Sequence, residues 1–338
     1  RIFDVQNWFQ NFEKNIFYGP VRKFPNDFSL KDKERLTELF KKSVTENIIP
    51  AYQKMGDFLE KEYLPKARTT DGYNSLPNGN KMYAFYAKTW TTTDKTPDEI
   101  NKTGLQQVAM LRAEMQKIQQ QLGFQGTLEE FIVHVKSDRS AMPYKTPEEV
   151  LAGFNGILEK ITPKLKTMFS VTPKTGFEIR RTEKFREASA SAEYIQGTPD
   201  GKRPGIFYIP IPDPSKFNVT SGMESLFLHE AIPGHHYQVS LQQENTKLPK
   251  FMRFGWFGAY GEGWAHYCET LGPEFGLYTD PYQKMGYLSD QMLRAVRLVI
   301  DTGLHTGTMS REEAIKYFLS NISYDEASAT AEVERYMA

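Results

Sequence analysis

Cysteine is almost missing from this 338-residue chain: Cys268 stands alone. That excludes an internal disulfide framework and any metal site built on several thiolates, and leaves a small buried apolar side chain as its plain role. No stretch approaches the roughly 20 apolar residues needed to span a bilayer. Excess charge is missing too, since Lys+Arg and Asp+Glu both total 42. Such a balance offers no general field for nucleic acid or an anionic membrane surface. There are no repeats or low-complexity tracts. No signal peptide is visible, and because the chain opens at Arg1 and not at Met, its compartment stays open. With 39% hydrophobic and 25% charged residues, the remaining class is an ordinary globular polypeptide, long enough for one large domain or two smaller ones.

What is present is mostly helix. Residues 27 to 64 place Leu36, Leu39, Phe40, Ile48, Ile49, Tyr52, Met55 and Leu59 at near-helical spacing, with an interruption expected at Pro50. Four segments carry a Thr or Ser followed three residues later by Glu: Thr96 with Glu99, Thr127 with Glu130, Thr146 with Glu149, and Ser310 with Glu313. Each is a capping box, in which hydroxyl and carboxylate satisfy one another's backbone donors, and two add Pro at the first helical position. Helices are therefore predicted at roughly 96–121, 127–136, 146–160 and 310–320. Strand signals are confined to 176–180, 190–195 and 205–209, separated by a turn-rich segment, and predict a small antiparallel sheet. A soft boundary near residue 172 divides a helical region, 1–171, from a region holding the sheet and the helices after it, 172–338.

Of six histidines, only His134 falls in the first two thirds of the chain, on an apolar helix where a structural role is expected. His229, His235, His236, His266 and His305 share the last third. The densest stretch is His229-Glu230-Ala231-Ile232-Pro233-Gly234-His235-His236. A regular helix turns about 100° per residue, so positions four apart share a face, and the zinc-protease signature His-Glu-x-x-His uses this to present two imidazoles to one ion. Here the fourth position is Pro233. In an unbroken helix neither His235 nor His236 could share an ion with His229. Pro233, however, cannot donate to the carbonyl of residue 229 and its ring clashes there, so the helix must open. An outward bulge over 232–234 would bring His235 to the required place, which favours it over His236 as second ligand.

A hydrolytic zinc site takes three protein ligands and keeps one position open. Gly261-Glu262-Gly263-Trp264-Ala265-His266-Tyr267-Cys268-Glu269 is predicted as a helix with Glu262, His266 and Glu269 on one face, making Glu262 the third ligand. Glu230 would be the general base acting on a zinc-bound water and then protonating the leaving amine. His236, His266 and Glu269 are expected around the ligands, not on the ion. Trp264 is expected in the core.

These residues carry a resemblance. Leu228-His229-Glu230-Ala231-Ile232-Pro233-Gly234-His235-His236-Tyr237-Gln238, with Glu262-Gly263-Trp264-Ala265, resembles the largely bacterial domain-of-unknown-function 885 family, related to zincin-like metallopeptidases. Arg203-Pro204-Gly205-Ile206-Phe207-Tyr208, Arg297 through His305, and Thr91 through Asp94 with Thr96 through Ile100 extend the similarity over most of the chain. The resemblance implies a mainly helical fold with a small sheet beside the His-Glu helix, a zincin-like architecture and a deep substrate channel. In related helical zinc peptidases the Gly-His after the bulge carries the second ligand, which again favours His235. Family members continue past this chain's last helix into a segment containing Gly-Gln-x-x-Ser-Tyr-Lys, which this sequence lacks and which would supply a Tyr or Lys to the site. Frequent envelope membership in the family leans toward the periplasm or cell surface.

Weaker candidates remain. Tyr208 and its strand are candidates for pairing an extended peptide, with an interior strand as the competing reading. Arg294, Arg297 and His305, on or just after one helix, are candidates to hold a substrate carboxylate or the oxyanion of the reaction, against structural roles for the two arginines. The leading expectation is a zinc-dependent peptidase acting on short peptides. Its alternatives are a non-catalytic peptide-binding protein that keeps the fold and a metal-dependent amidase.

Overall fold

All four predicted capping boxes form: in each, the N-cap hydroxyl accepts the backbone N–H of the Glu three residues on, and that Glu side chain accepts from the N-cap backbone. The computed structural model describes residues 15–337, so the first fourteen residues of the expected N-terminal region, and Ala338, lie outside the described residues. The chain divides into two compact units between Thr70 and Asp71, not near residue 172.

In the first unit, α1 (Leu30–Ser43) opens on Ser29, whose hydroxyl accepts from the Asp32 N–H at 3.1 Å. It runs through a π-helical turn at Val44–Ile48 into α2 (Ile49–Phe58). The interruption expected at Pro50 therefore does not occur. The wider turn opens the ladder ahead of Pro50, which then sits in a first helical turn where no N–H is required. Tyr18, Val21 and Val44 are buried there, with Phe40, Ile48 and Ile49 packed on them.

The second unit begins its long elements with α3 (Gly79–Thr91), α4 (Pro97–Gln121), α5 (Leu128–Ser137) and α6 (Pro147–Met168). α6 runs past the predicted end at 160 and contains Pro163, because its buried stripe Val150, Phe154, Ile157, Ile161 and Leu165 continues beyond the proline. Burying each such side chain contributes about 1.5–3 kcal/mol, enough to offset one lost helical hydrogen bond. Then come β1 (Phe177–Arg181), β2 (Glu193–Ile195) and β3 (Gly205–Ile209). The sheet is mixed, not antiparallel: β3 is central, parallel to β1 and antiparallel to β2, with Tyr194 opposite Phe207. The connections on either side of β2, 182–192 and 196–204, can return the chain in either direction, so strand signals alone did not decide it.

After the sheet come α7 (Met223–Glu230), α8 (His235–Glu244), α9 (Gly258–Thr270), α10 (Pro281–Thr306), α11 (Arg311–Leu319) and α12 (Glu326–Tyr336). Two apolar cores hold this unit. In one, Val108, Leu111 and Met115 of α4 meet Met292, Val296 and Ile300 of α10, closed by α5, α11 and α12. Asn101 on α4 also donates to the Val299 carbonyl and the Thr302 hydroxyl of α10, at 3.2 and 2.9 Å. This packing of an early helix on a late one is why no boundary falls near 172. In the other core, the α6 stripe packs on Phe207 and Ile209 of β3 and on Phe227 and Leu228 of α7. Pinning Phe227 and Leu228 fixes where the next two residues, His229 and Glu230, emerge. Among the described residues, no helix is long and apolar enough to cross a membrane.

Candidate metal centre

α7 ends at Glu230 and α8 starts at His235, so the expected bulge is a full break between two helices. Ala231 and Gly234 leave helical geometry on either side of a cis Ile232–Pro233 bond. Gly234 is required here. A Cβ on it would lie 1.8 Å from the His229 carbonyl oxygen and 2.3 Å from that of Leu228, both backbone atoms that cannot yield. From α9, the Trp264 indole N–H donates to the Pro233 carbonyl at 2.9 Å and ties the break to the next helix.

The break sets the His235 ring edge-on to His229, with centroids 4.9 Å apart. α9 adds Glu262, whose Oε2 lies 3.4 Å from His229 Nε2 and 3.8 Å from His235 Nε2. One ligand atom from each of His229, His235 and Glu262 falls within 4.8 Å of the others. His236, although adjacent, turns elsewhere: its Nδ1 meets the Tyr194 hydroxyl of β2 at 3.0 Å, and its ring packs on Phe177.

The second layer of contacts is carboxylate-rich. Glu269 is buried and its Oε1 lies 2.7 Å from His229 Nδ1, which leaves Nε2 to face Glu262. Gln291 and Arg294, both on α10, hold the same carboxylate at 2.8 and 2.9 Å, and His266 lies 3.7 Å away. Burial would raise the Glu269 carboxyl, but its partners outweigh burial, the His229 hydrogen bond first, and hold it down at about 2. Burial likewise opposes charge on His229, but Glu262 and Glu269 flank the ring and bring it up to about 9. His235 is pushed down to about 4 by burial and then by the His229 charge. Burial pushes Glu230 up to about 7, with Glu262 adding repulsion, while His229 and the Tyr194 backbone N–H act the other way.

The donor set fits a small divalent cation. Two imidazoles and a carboxylate form a catalytic zinc set, and metal bonds of about 2.0–2.1 Å in a tetrahedron put ligand atoms about 3.3–3.4 Å apart. His229 and Glu262 already stand at 3.4 Å. His235 faces the same point with its Nε2, which stops short of hydrogen-bond range from Glu262, while its Nδ1 is buried with no hydrogen-bond partner among the described residues. A cation there would give Nε2 the partner that Glu262 does not.

Other predicted residues lie differently. Arg294 does reach the cluster, within 3.3 Å of His229 Nδ1, but its charge is taken by Glu269. Arg297 is held by Glu332 at 2.6 Å and the Tyr336 hydroxyl at 2.7 Å, so it anchors α12. Tyr208 sits on the central strand with both edges paired and under the Arg186 guanidinium, so its strand has no edge to offer a peptide. His305 is buried in a separate cavity among tyrosines. Tyr194, Trp264 and Gln291 were not singled out as site residues. Only Gln291 had a readable signal, three residues before Arg294 on one helix face.

The whole of this geometry sits in a recognised family. Residues 2–338 match the family described as "Bacterial protein of unknown function (DUF885)", and the chain belongs to it. No curated protein matches the chain. A crystal structure described as a "putative lipoprotein" from Colwellia psychrerythraea is 31% identical with a TM-score of 0.91, covering 100% of this chain and 59% of that one. A second, a "putative lipoprotein of unknown function" from Shewanella oneidensis, is 18% identical with a TM-score of 0.65 over 99% of this chain and 62% of its own, and shares the fold alone. The chain thus spans about three fifths of the length of these solved relatives.

Proposed function

We propose that this protein is a zinc-dependent peptidase of zincin-like type, hydrolysing peptide bonds in short peptides. The observation that carries the reading is the convergence of His229, His235 and Glu262 across a helix break, with His235 buried and unbonded. These three residues would hold the ion, and Glu269 would orient His229 through its Nδ1–H, as carboxylates do for metal-bound imidazoles. Bound there, zinc would supply Lewis acidity toward a scissile carbonyl.

Glu230 follows the first ligand directly and is not one of the three. Its carboxylate would accept a proton from the attacking water and return it to the leaving amine nitrogen. The Tyr194 backbone on β2 lies near enough to this carboxylate to favour its charged form. That outer edge of β2, away from β3, supports the approach of an extended peptide beside Glu230. The 31%-identical solved relative, described as a putative lipoprotein, supports a place at the cell envelope for this chain as well.

Metal analysis combined with a Glu230→Gln comparison tests the reading. Wild type is expected to bind about one zinc per chain and cleave members of a short-peptide panel; Glu230→Gln keeps the zinc and loses about 10³-fold in kcat. Full activity in the variant would remove Glu230 as the base. Turnover of small amides but of no peptide would transfer the site to an amidase.

A further inference from the structure

The C-terminal half of α10 lines a second feature, a cavity of about 630 Å³ that includes none of the three metal-centre residues. Its walls are aromatic. Tyr73, Tyr83, Tyr86 and Trp90 surround it, with Tyr73 centred 6.0 Å from Tyr83 and 5.6 Å from Tyr86. His305 closes one side, 4.8 Å from the Tyr83 ring, and its Nδ1 accepts the Tyr73 backbone N–H at 3.2 Å.

Among these rings lies one carboxylate, Asp301. Its Oδ1 accepts from the Tyr83 hydroxyl at 2.5 Å, and burial with the adjacent carboxylate raises the Tyr83 phenol so that it keeps this proton. Oδ2 is 3.9 Å from His305 Nε2, beyond a hydrogen bond, and among the described residues no Lys or Arg lies within ion-pair distance of Asp301. Arg297 also lines the cavity, but Glu332 and Tyr336 hold its guanidinium. The cavity therefore presents aromatic faces, which are electron-rich, and a carboxylate with an open oxygen. An organic cation satisfies both at once. An anion is repelled by Asp301, and a neutral apolar group would desolvate that carboxylate without pairing it.

One wall of the cavity reaches the helix that carries Glu262. Trp90 lies against Gly258, where a Cβ would meet its ring at 3.6 Å, and Gly258 begins the helix that carries Glu262 one turn later. We infer that this cavity is a subsite for the cationic side chain, alkylammonium or guanidinium, of a basic residue in the peptide substrate. The substrate assignment rests on the peptidase reading above; the binding of the cation does not.

Calorimetry on the full chain in the presence of a chelator, with N-acetyl-arginine amide, N-acetyl-lysine amide and N-acetyl-norleucine amide, separates the two. Acetylation leaves the side chain as the sole charge, and comparing the first two ligands tells guanidinium from ammonium. At least one cationic amide is expected to bind about tenfold tighter than the norleucine amide, a factor worth 1.4 kcal/mol. Asp301→Asn should abolish the difference and Trp90→Ala should reduce it several-fold. Equal affinity for all three amides overturns the subsite, and so does a preference that survives Asp301→Asn. Thermal unfolding checks the fold of each variant; if Asp301→Asn does not fold, an unchanged preference in Trp90→Ala, altered at an exposed ring, decides against the proposal. With zinc restored, equal kcat/KM on basic and neutral peptides removes the subsite and leaves the peptidase. Cation binding without any hydrolysis removes the peptidase and leaves the cavity.

Discussion

His229 and His305 are both almost fully buried in the same unit, yet their surroundings give them different chemistry. His229 ends a helix that must break, and carboxylates face both of its ring nitrogens. His305 lies in the last turn of the 26-residue α10 and is packed by the rings of Tyr73 and Tyr83. The first environment favours positive charge at a point, as an ion would supply. The second is soft and broad, suited to the charge of an organic group. The lesson is that a buried histidine takes its role from what its neighbours leave unsatisfied, not from its own pKa.

Several substitutions would break or sharpen this contrast. The largest effect is expected from Gly234→Ala, which drives a Cβ into two carbonyl oxygens and has no flexible neighbour to move. It should cost about 4 kcal/mol in chemical denaturation and abolish zinc binding. A variant that still binds zinc with wild-type affinity would show that the break can be reached by another backbone path. Next, Glu269→Gln removes the carboxylate behind His229 and should weaken zinc affinity about 10- to 100-fold in competition with a chromophoric chelator. His305→Gln should leave that affinity unchanged; equal losses in both variants would mean that the two regions are not separate. Smallest is Trp264→Phe, which deletes the indole hydrogen bond to Pro233. A loss of about 1 kcal/mol is expected in the same denaturation experiment, with zinc affinity falling in step if the bond serves to hold the break.

Much of the scaffold was legible along the chain because its signals are local. Four capping boxes marked four helix starts, and the pattern of β-branched and aromatic residues placed β3 at its observed span. Errors arose where a local rule met a distant partner. Pro50 was expected to interrupt its helix, and a π-helical turn ahead of it carries the chain through; α6 was expected to end near 160, and its buried stripe carries it past Pro163. Arg297, a candidate substrate holder weighed against a structural role, takes the structural one because α12 folds back to bring Glu332 and Tyr336 onto it. For Tyr208 both a peptide-pairing strand and an interior one stood open, and β1, which precedes it by nearly thirty residues, decides for the interior one by covering one side of its strand.

By itself the sequence determined which residue types are concentrated where: His229, Glu230 and His235 around Pro233-Gly234, with Glu262 and Glu269 on a helix face some thirty residues later. It also required a break between the two histidines, because Pro233 cannot complete the helical ladder there. It favoured His235 over His236 without deciding between them. Only the tertiary structure set one ring toward Glu262 and the other toward Tyr194, since that depends on where α9 and β2 come to rest. Likewise, nothing adjacent in sequence joins Trp90 to Asp301, and only the packing of α3 against α10 brings a carboxylate among aromatic rings. Backbone stereochemistry is fixed by near neighbours and can be read along the chain, whereas a site is a meeting of remote segments whose geometry is decided by the core that packs them.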